Sequence, residues 1–150
     1  MLARIRKSME DKDQGFTLIE LLVVMIIIGI LSAIAIPVFL NQRKKAVDSS
    51  MKSDLKTIAT TIETNFTDLQ QYPASISTTG SDTTVGWTTT PVVNEVVKTS
   101  QGNEFTYTLY PGGNSYCVLA KRQPGAPASS QEWVYKSAAG GLQPMAVTTC

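Results

Sequence analysis

Histidine is absent from the 150 residues, which excludes His-dependent triads and imidazole metal ligands outright. No Cys-x-x-Cys pair and no glycine-rich phosphate loop occur either, so redox, zinc and nucleotide-motor readings lose their usual carriers. The carboxylates Asp82, Glu95, Glu104 and Glu132 are scattered and offer no clustered acidic loop for calcium. The chain is therefore not read as an enzyme, and no catalytic residue, metal or cofactor is assigned. Charge is missing in one place above all. Between Gly15 and Gln42 the only ionisable side chain is Glu20.

That stretch is what the chain has instead. From Leu21 to Leu40 it reads LLVVMIIIGILSAIAIPVFL, and about 20 apolar residues in a helix cross a hydrocarbon core of about 30 Å. A membrane helix follows. A secretory signal peptide would use the same residues, with Arg4, Arg6 and Lys7 ahead of them and Ala33-Ile34-Ala35 as a small-x-small cleavage site. A plain single-span anchor and a buried soluble helix also compete. Neither signal peptide nor plain anchor needs Glu20, and a charge at hydrocarbon depth costs about 2.5 to 3.5 kcal/mol even on lenient scales.

Gly15-Phe16-Thr17-Leu18-Ile19-Glu20 followed by the apolar run resembles the N-terminal signature of type IV pilins and pseudopilins. The resemblance covers residues 15 to about 40. It implies a leader, 1–15, cut between Gly15 and Phe16 by a prepilin peptidase that also methylates the new Phe16 amine. It implies a membrane and assembly helix over 16–40, with Gly29 and Pro37 where that family commonly has a helix-loosening glycine and proline. Gln14 departs from the basic residue more usual there, which bears on processing efficiency but leaves the cut residues alone. Glu20 then gains a role. Its carboxylate lies one helical turn beyond the Phe16 amine, and in a filament it can meet the amine of a neighbouring copy and fix register.

The leader holds four basic and three acidic residues of the chain's 13 and 12, leaving nine of each. A neutral remainder argues against a nucleic-acid surface, and Lys98, Lys121, Arg122 and Lys136 read as ordinary solvated charges. Basic residues flank both ends of the span, with Arg43, Lys44 and Lys45 just beyond it, so charge alone barely decides orientation; the resemblance implies leader inside and head outside. Cys117 and Cys150 form an even pair suited to an exported head, with two free thiols as the alternative. A bridge would staple the C-terminal tail.

Residues 41–150 read as one head. Val47, Met51, Leu55, Ile58, Ile62, Phe66 and Leu69 recur at helical steps, with Lys44, Lys52, Asp54, Lys56 and Glu63 on other faces. One helix from about Phe16 to Leu69 is expected, bent or melted between Gly29 and Pro37 or tolerating both, and ending before Tyr72-Pro73. A Ser/Thr-rich stretch, 74–90, is expected as an exposed loop anchored by Trp87. The β-region, 91–136, offers strands at Val92–Val97, Phe105–Leu109, Tyr116–Ala120 and Trp133–Tyr135, the middle pair joined by the turn Pro111-Gly112-Gly113-Asn114. A tail, 137–150, follows. The fold class is α+β: a long N-terminal helix whose second half packs on a small antiparallel sheet of three or four strands. Asn65-Phe66-Thr67 fits a glycosylation sequon by chance of spacing, and Phe16, Phe39, Phe66 and Tyr72 read as bilayer and core packing rather than as an electron path.

The reading is a structural subunit of a surface filament. Its implied partners are other copies of itself, minor pilins, the peptidase, an assembly ATPase with its platform protein, and the membrane. The alternatives are a pseudopilin of a type II secretion or DNA-uptake system and a signal-anchored extracytoplasmic binding module.

Overall fold

The computed structural model describes residues 15–144, 147, 149 and 150. One helix, α1, runs Leu18–Leu69 without interruption through Gly29 and Pro37. By its contacts the chain divides into two units that meet between Leu40 and Asn41. In the first unit the apolar residues have nothing to pack on among the described residues: Leu18, Met25, Ile30 and Phe39 are all exposed by 60% or more. In the second, Met51, Leu55, Ile58 and Ile62 are wholly buried, with Val47 and Leu69 packed against the same core. The helix ends where Gln70 turns into the left-handed region at φ 54. Its backbone N–H and side-chain amide both donate to the Phe66 carbonyl, satisfying a carbonyl the helix leaves open.

Seven strands follow in two antiparallel sheets. The first sheet is β1 (Ser75–Thr79), β2 (Asp82–Trp87) and β3 (Val93–Lys98), in that order. The second is β4 (Asn103–Leu109), β5 (Tyr116–Arg122), β6 (Trp133–Lys136) and the short β7 (Gly141–Leu142). The strands expected in the β-region are all present. Two corrections concern what lies before and between them. The Ser/Thr-rich stretch, 74–90, is not mainly a loop but the hairpin β1–β2, and the strands divide into two sheets rather than one. Threonine is β-branched and suits a strand, and Thr83, Val85 and Trp87 alternate inward while their neighbours are half-exposed. The two-residue turn Gly80-Ser81 uses glycine's freedom at φ 66, a first position that type II′ hairpins favour. Trp87 does anchor the segment, from inside the core, with its indole N–H donating to the Gln71 carbonyl at 3.2 Å.

Both sheets face the buried stripe of α1, with Val85, Trp87 and Val97 from the first and Phe105, Tyr116, Val118, Ala120 and Trp133 from the second. Strand β5 is buried on both faces. Its other face carries Cys117 and Leu119, which pack with Val134, Tyr110 and Val147 of the tail. The Cys117–Cys150 disulfide, with Cα atoms 5.7 Å apart, ties the chain's end beside that second cluster.

Two acids on α1 hold loops to the helix. Asp54, expected on a solvated face, is instead buried. It accepts from the Ser100 N–H at 2.9 Å, the Ser100 hydroxyl at 3.2 Å and the Asn103 amide at 2.5 Å. The other side of that amide accepts from Arg122. Asp48, six residues earlier, accepts from the Ser130 N–H at 3.0 Å and from its hydroxyl. Periodicity reports apolar faces, and neither acid has an apolar signature.

Candidate processing and assembly site

Gly15 and Phe16 precede the helix without regular structure, and both are exposed. Thr17 is the residue just before α1, and Glu20 is in its first turn. They cap the helix reciprocally. The Thr17 hydroxyl accepts from the Glu20 N–H at 3.3 Å, and the Glu20 carboxylate accepts from the Thr17 N–H at 2.8 Å and from its hydroxyl at 2.7 Å. This is the capping box, in which a Thr-x-x-Glu pair satisfies two of the donors a helix start leaves open. The sequence carries that signal at 17–20, ahead of an apolar run, and a reading of Glu20 as a partner for an amine alone takes no account of it. Both contacts of the carboxylate fall on Oε2; Oε1 makes none among the described residues.

Downstream of the box, α1 is long and apolar enough to cross a membrane, and none of its most apolar window is buried. A continuous exposed apolar surface of this extent is untenable in water and calls for lipid or other protein. A β-carbon built on Gly29 meets nothing within 4 Å, so no contact among the described residues requires glycine there. The segment expected as a leader, 1–15, lies outside the described residues except for Gly15.

The sequence comparisons fall on this same stretch. Residues 11–36 match the model of the prokaryotic N-terminal methylation motif. The chain is similar to type IV major pilins and to a type II secretion core protein. It is 41% identical over 81 residues to the type IV major fimbrial protein FimA of Dichelobacter nodosus, covering 54% of this chain and 47% of that one. It is 43% identical over 61 residues to the type IV major pilin protein PilA of Myxococcus xanthus, covering 41% and 28%. It is 32% identical over 65 residues to the type II secretion system core protein G of Escherichia coli, covering 43% and 45%. The matches thus span less than half the length of these relatives. No solved structure matches the chain. The pilin-like architecture, a long N-terminal helix leading into a small α+β head, is seen in the fold itself.

The head offers little chemistry. Among the described residues no three carboxylates or cysteines gather as metal ligands. Asp82 pairs with Lys98 at 2.6 Å, Glu132 with Lys121 at 3.5 Å, and Glu95 accepts from the Asn65 amide at 2.5 Å. That last bond, with a second from Asn65 to the Thr61 carbonyl at 3.0 Å, engages the sequon's side chain inside a helix. The aromatic rings of the core follow in series: Phe66 stacks on Tyr72 at 4.4 Å between centroids, Tyr72 is tilted 60° against Tyr116 at 4.9 Å, and Tyr116 stacks beside Tyr107 and Tyr135 at 5.9 and 6.1 Å. Burial pushes the Tyr107 and Tyr116 phenols well above the usual tyrosine range. The Glu63 charge adds to the effect at Tyr116, although neither hydroxyl has a hydrogen-bond partner among the described residues.

Proposed function

We propose that this chain is the precursor of a structural filament subunit, cut between Gly15 and Phe16, methylated on the Phe16 amine and polymerised through 16–40. One observation carries the reading: the methylation motif opens the exposed apolar part of α1, whose single charge before Arg43, Glu20, sits in its first turn. Before assembly the helix is held in the membrane as a single span with the head outside; afterwards neighbouring helices replace lipid. Exchange is feasible because lipid tails and Leu or Ile side chains are similarly apolar, so packing and the placement of one charge set the balance. The capping box supports this division of labour. Oε2 of Glu20 completes the helix start within the chain, while Oε1 is available to the Phe16 amine of a neighbouring copy. Gly29 and Pro37 act as weak points, since glycine costs a helix about 1 kcal/mol against alanine and proline removes one donor.

The partners on this reading are a prepilin peptidase, an assembly ATPase and platform protein, minor pilins and further copies of the chain. Energy for extraction comes from those partners, because the chain carries no nucleotide motif. N-terminal sequencing of the mature protein tests the proposal. Methylated Phe16 is expected; a start at Ile36, from ordinary signal peptidase, would instead mark an exported binding module. The similarity to type II secretion core protein G favours a second reading, a short pseudopilus. Long surface fibres in electron micrographs of cells making the chain would exclude it.

A further inference from the structure

We propose that the head carries a self-complementary docking face, the cleft between α1 and β6, and that its occupant is the same face of a second copy laid antiparallel. Lys56 and Glu63 line one cleft of about 500 Å³, with Ala59 and Thr60 between them and Tyr135 of β6 in its wall. The two charges are seven residues apart, close to two helical turns, so they share one flank of α1 about 10.5 Å apart along its axis. That exceeds the three- or four-residue spacing at which side chains of one helix meet. Neither takes part in an ion pair among the described residues.

Glu63 supplies a second, independent sign. The other head carboxylates withdrawn from solvent each have an answering group: Asp48 and Asp54 accept from backbone N–H groups, and Asp82 and Glu132 pair with lysines. Half-buried Glu63 has neither a cation nor a backbone donor among the described residues. It faces the ring cluster instead, where burial first and then the Glu63 charge raise the Tyr72 and Tyr116 phenols. Drawing a carboxylate back from water without a cation is unfavourable, and this one lines an open cleft. Thr60 and Thr67 turn their hydroxyls back to the Lys56 and Thr64 carbonyls at 2.9 and 2.7 Å. Lys56 and Glu63 are therefore what the cleft offers to a charged partner.

Charge and spacing select the occupant. A partner must bring an ammonium to Glu63 and a carboxylate to Lys56 with the spacing unchanged and the order reversed. The same flank of a second copy does both. A two-fold axis passing between Ala59 and Thr60 sets Lys56 against Glu63 of the second copy and Glu63 against its Lys56. Ala59 then faces Thr60, two small side chains where the helices come closest. Such a contact is isologous and stops at a pair. Copies within one filament run the same way, so the antiparallel contact joins copies in neighbouring filaments and bundles them; this last step rests on the proposed function. A weak pair suffices there, because it recurs along both fibres.

The test uses the full chain in uncharged detergent, with the monomer–dimer balance read by analytical ultracentrifugation. Lys56→Glu and Glu63→Lys should each weaken the dimer by roughly tenfold, since two attractive pairs become two repulsive ones. Mixed in equal amounts, the two variants should form a heterodimer at least as tight as the wild-type dimer, because every facing pair is then opposite in charge. The Lys56→Glu/Glu63→Lys chain should regain the homodimer, and both recoveries show that the variants fold. Lys98→Gln, outside the cleft, should change nothing. Absence of a wild-type dimer, or a dimer that both reversals leave unchanged, overturns the docking face. A mixture that does not recover overturns the two-fold pairing. Oxidation of a Lys56→Cys/Glu63→Cys chain should stop at dimers, and a ladder of longer products would overturn the two-fold in favour of a head-to-tail contact. On cells, single reversals should leave filaments but separate their bundles; bundles that persist overturn the assignment to neighbouring filaments. Failure of the proposed function looks different: wild-type cells would then make no filaments, while the dimer in detergent would still decide the docking face.

Discussion

Asp54→Ala is the sharpest test of how the head is held together. The substitution removes a buried acceptor of three hydrogen bonds, from the Ser100 N–H, the Ser100 hydroxyl and the Asn103 amide. Asn103 is itself fully buried, so its amide has no water to turn to. Leaving a buried donor unmet costs about 1 to 3 kcal/mol. The fully buried Asn103 amide and the part-buried Ser100 N–H put the loss at roughly 2 to 5 kcal/mol, the upper end in line with breaking other buried charged contacts. Against a typical total of about 5 to 15 kcal/mol for a domain, that is a large share. At about 4 °C per kcal/mol for a domain of this size, Tm should fall by roughly 8 to 20 °C. The assay is thermal unfolding of the full chain in uncharged detergent, followed by near-ultraviolet circular dichroism, which reads head packing and ignores the apolar helix. Asp54→Asn is the companion variant. It keeps one acceptor but sets an amide donor against the Asn103 donor, so its loss should be intermediate. A loss below about 1 kcal/mol for Asp54→Ala would refute the reasoning, because the loop at 99–103 would then hold without the acid.

Glu20→Gln separates the two jobs of that residue, since glutamine at the third helical position can still close the capping box. If charge is what assembly needs, Glu20→Gln should block filaments as fully as Glu20→Ala while Thr17→Val, which removes only the cap at a cost of about 1 kcal/mol, still assembles; filaments from Glu20→Gln at wild-type yield would refute the pairing. Cys150→Ser should destabilise the head by roughly 3 to 4 kcal/mol, from the chain entropy of a bridge spanning 33 residues, measured by denaturant midpoint. The tail beside Cys117, Leu119 and Val134 should then become cleavable by protease, and an unchanged digestion pattern would count against it. The buried tyrosines predict alkaline unfolding. Above pH 10 the unfolded chain releases phenol protons that the folded head retains at Tyr107 and Tyr116, so stability is full below pH 10 and falls as pH rises, by up to about 1.4 kcal/mol per unit for each group. Denaturant midpoints at pH 9 and 11 check this, and a Tyr107→Phe/Tyr116→Phe variant should flatten the difference while costing little at pH 7, because neither hydroxyl has a partner to lose among the described residues.

The extent of α1, its apolar first part, the motif at Gly15-Phe16 and the strands between Val93 and Lys136 are legible in the sequence, because each is written as a local period or a contiguous string; the short β7, Gly141–Leu142, lies in the stretch expected as a tail. The capping box is equally local at Thr17 and Glu20, but the isolation of that glutamate in an apolar run points to an amine partner and masks the cap. The Ser/Thr-rich hairpin is harder. Its composition matches exposed loops, and only the alternating burial of Thr83, Val85 and Trp87 marks it as strand.

What the chain alone determined, then, is the part whose physics is one-dimensional: an apolar string long enough for a bilayer, one carboxylate at its head, and helical spacing in the stripe from Val47 to Leu69. What tertiary structure decided is everything that depends on residues distant in the chain meeting one another. Asp48 reaches Ser130 across 82 residues and Asp54 reaches Asn103 across 49. Trp133 comes to face Lys52, and the strands part into two sheets around a single helix. Hydrophobic periodicity says which face of a helix is buried, but it is blind to which polar group will be waiting there, since a hydrogen bond depends on the position of a partner that no local pattern records.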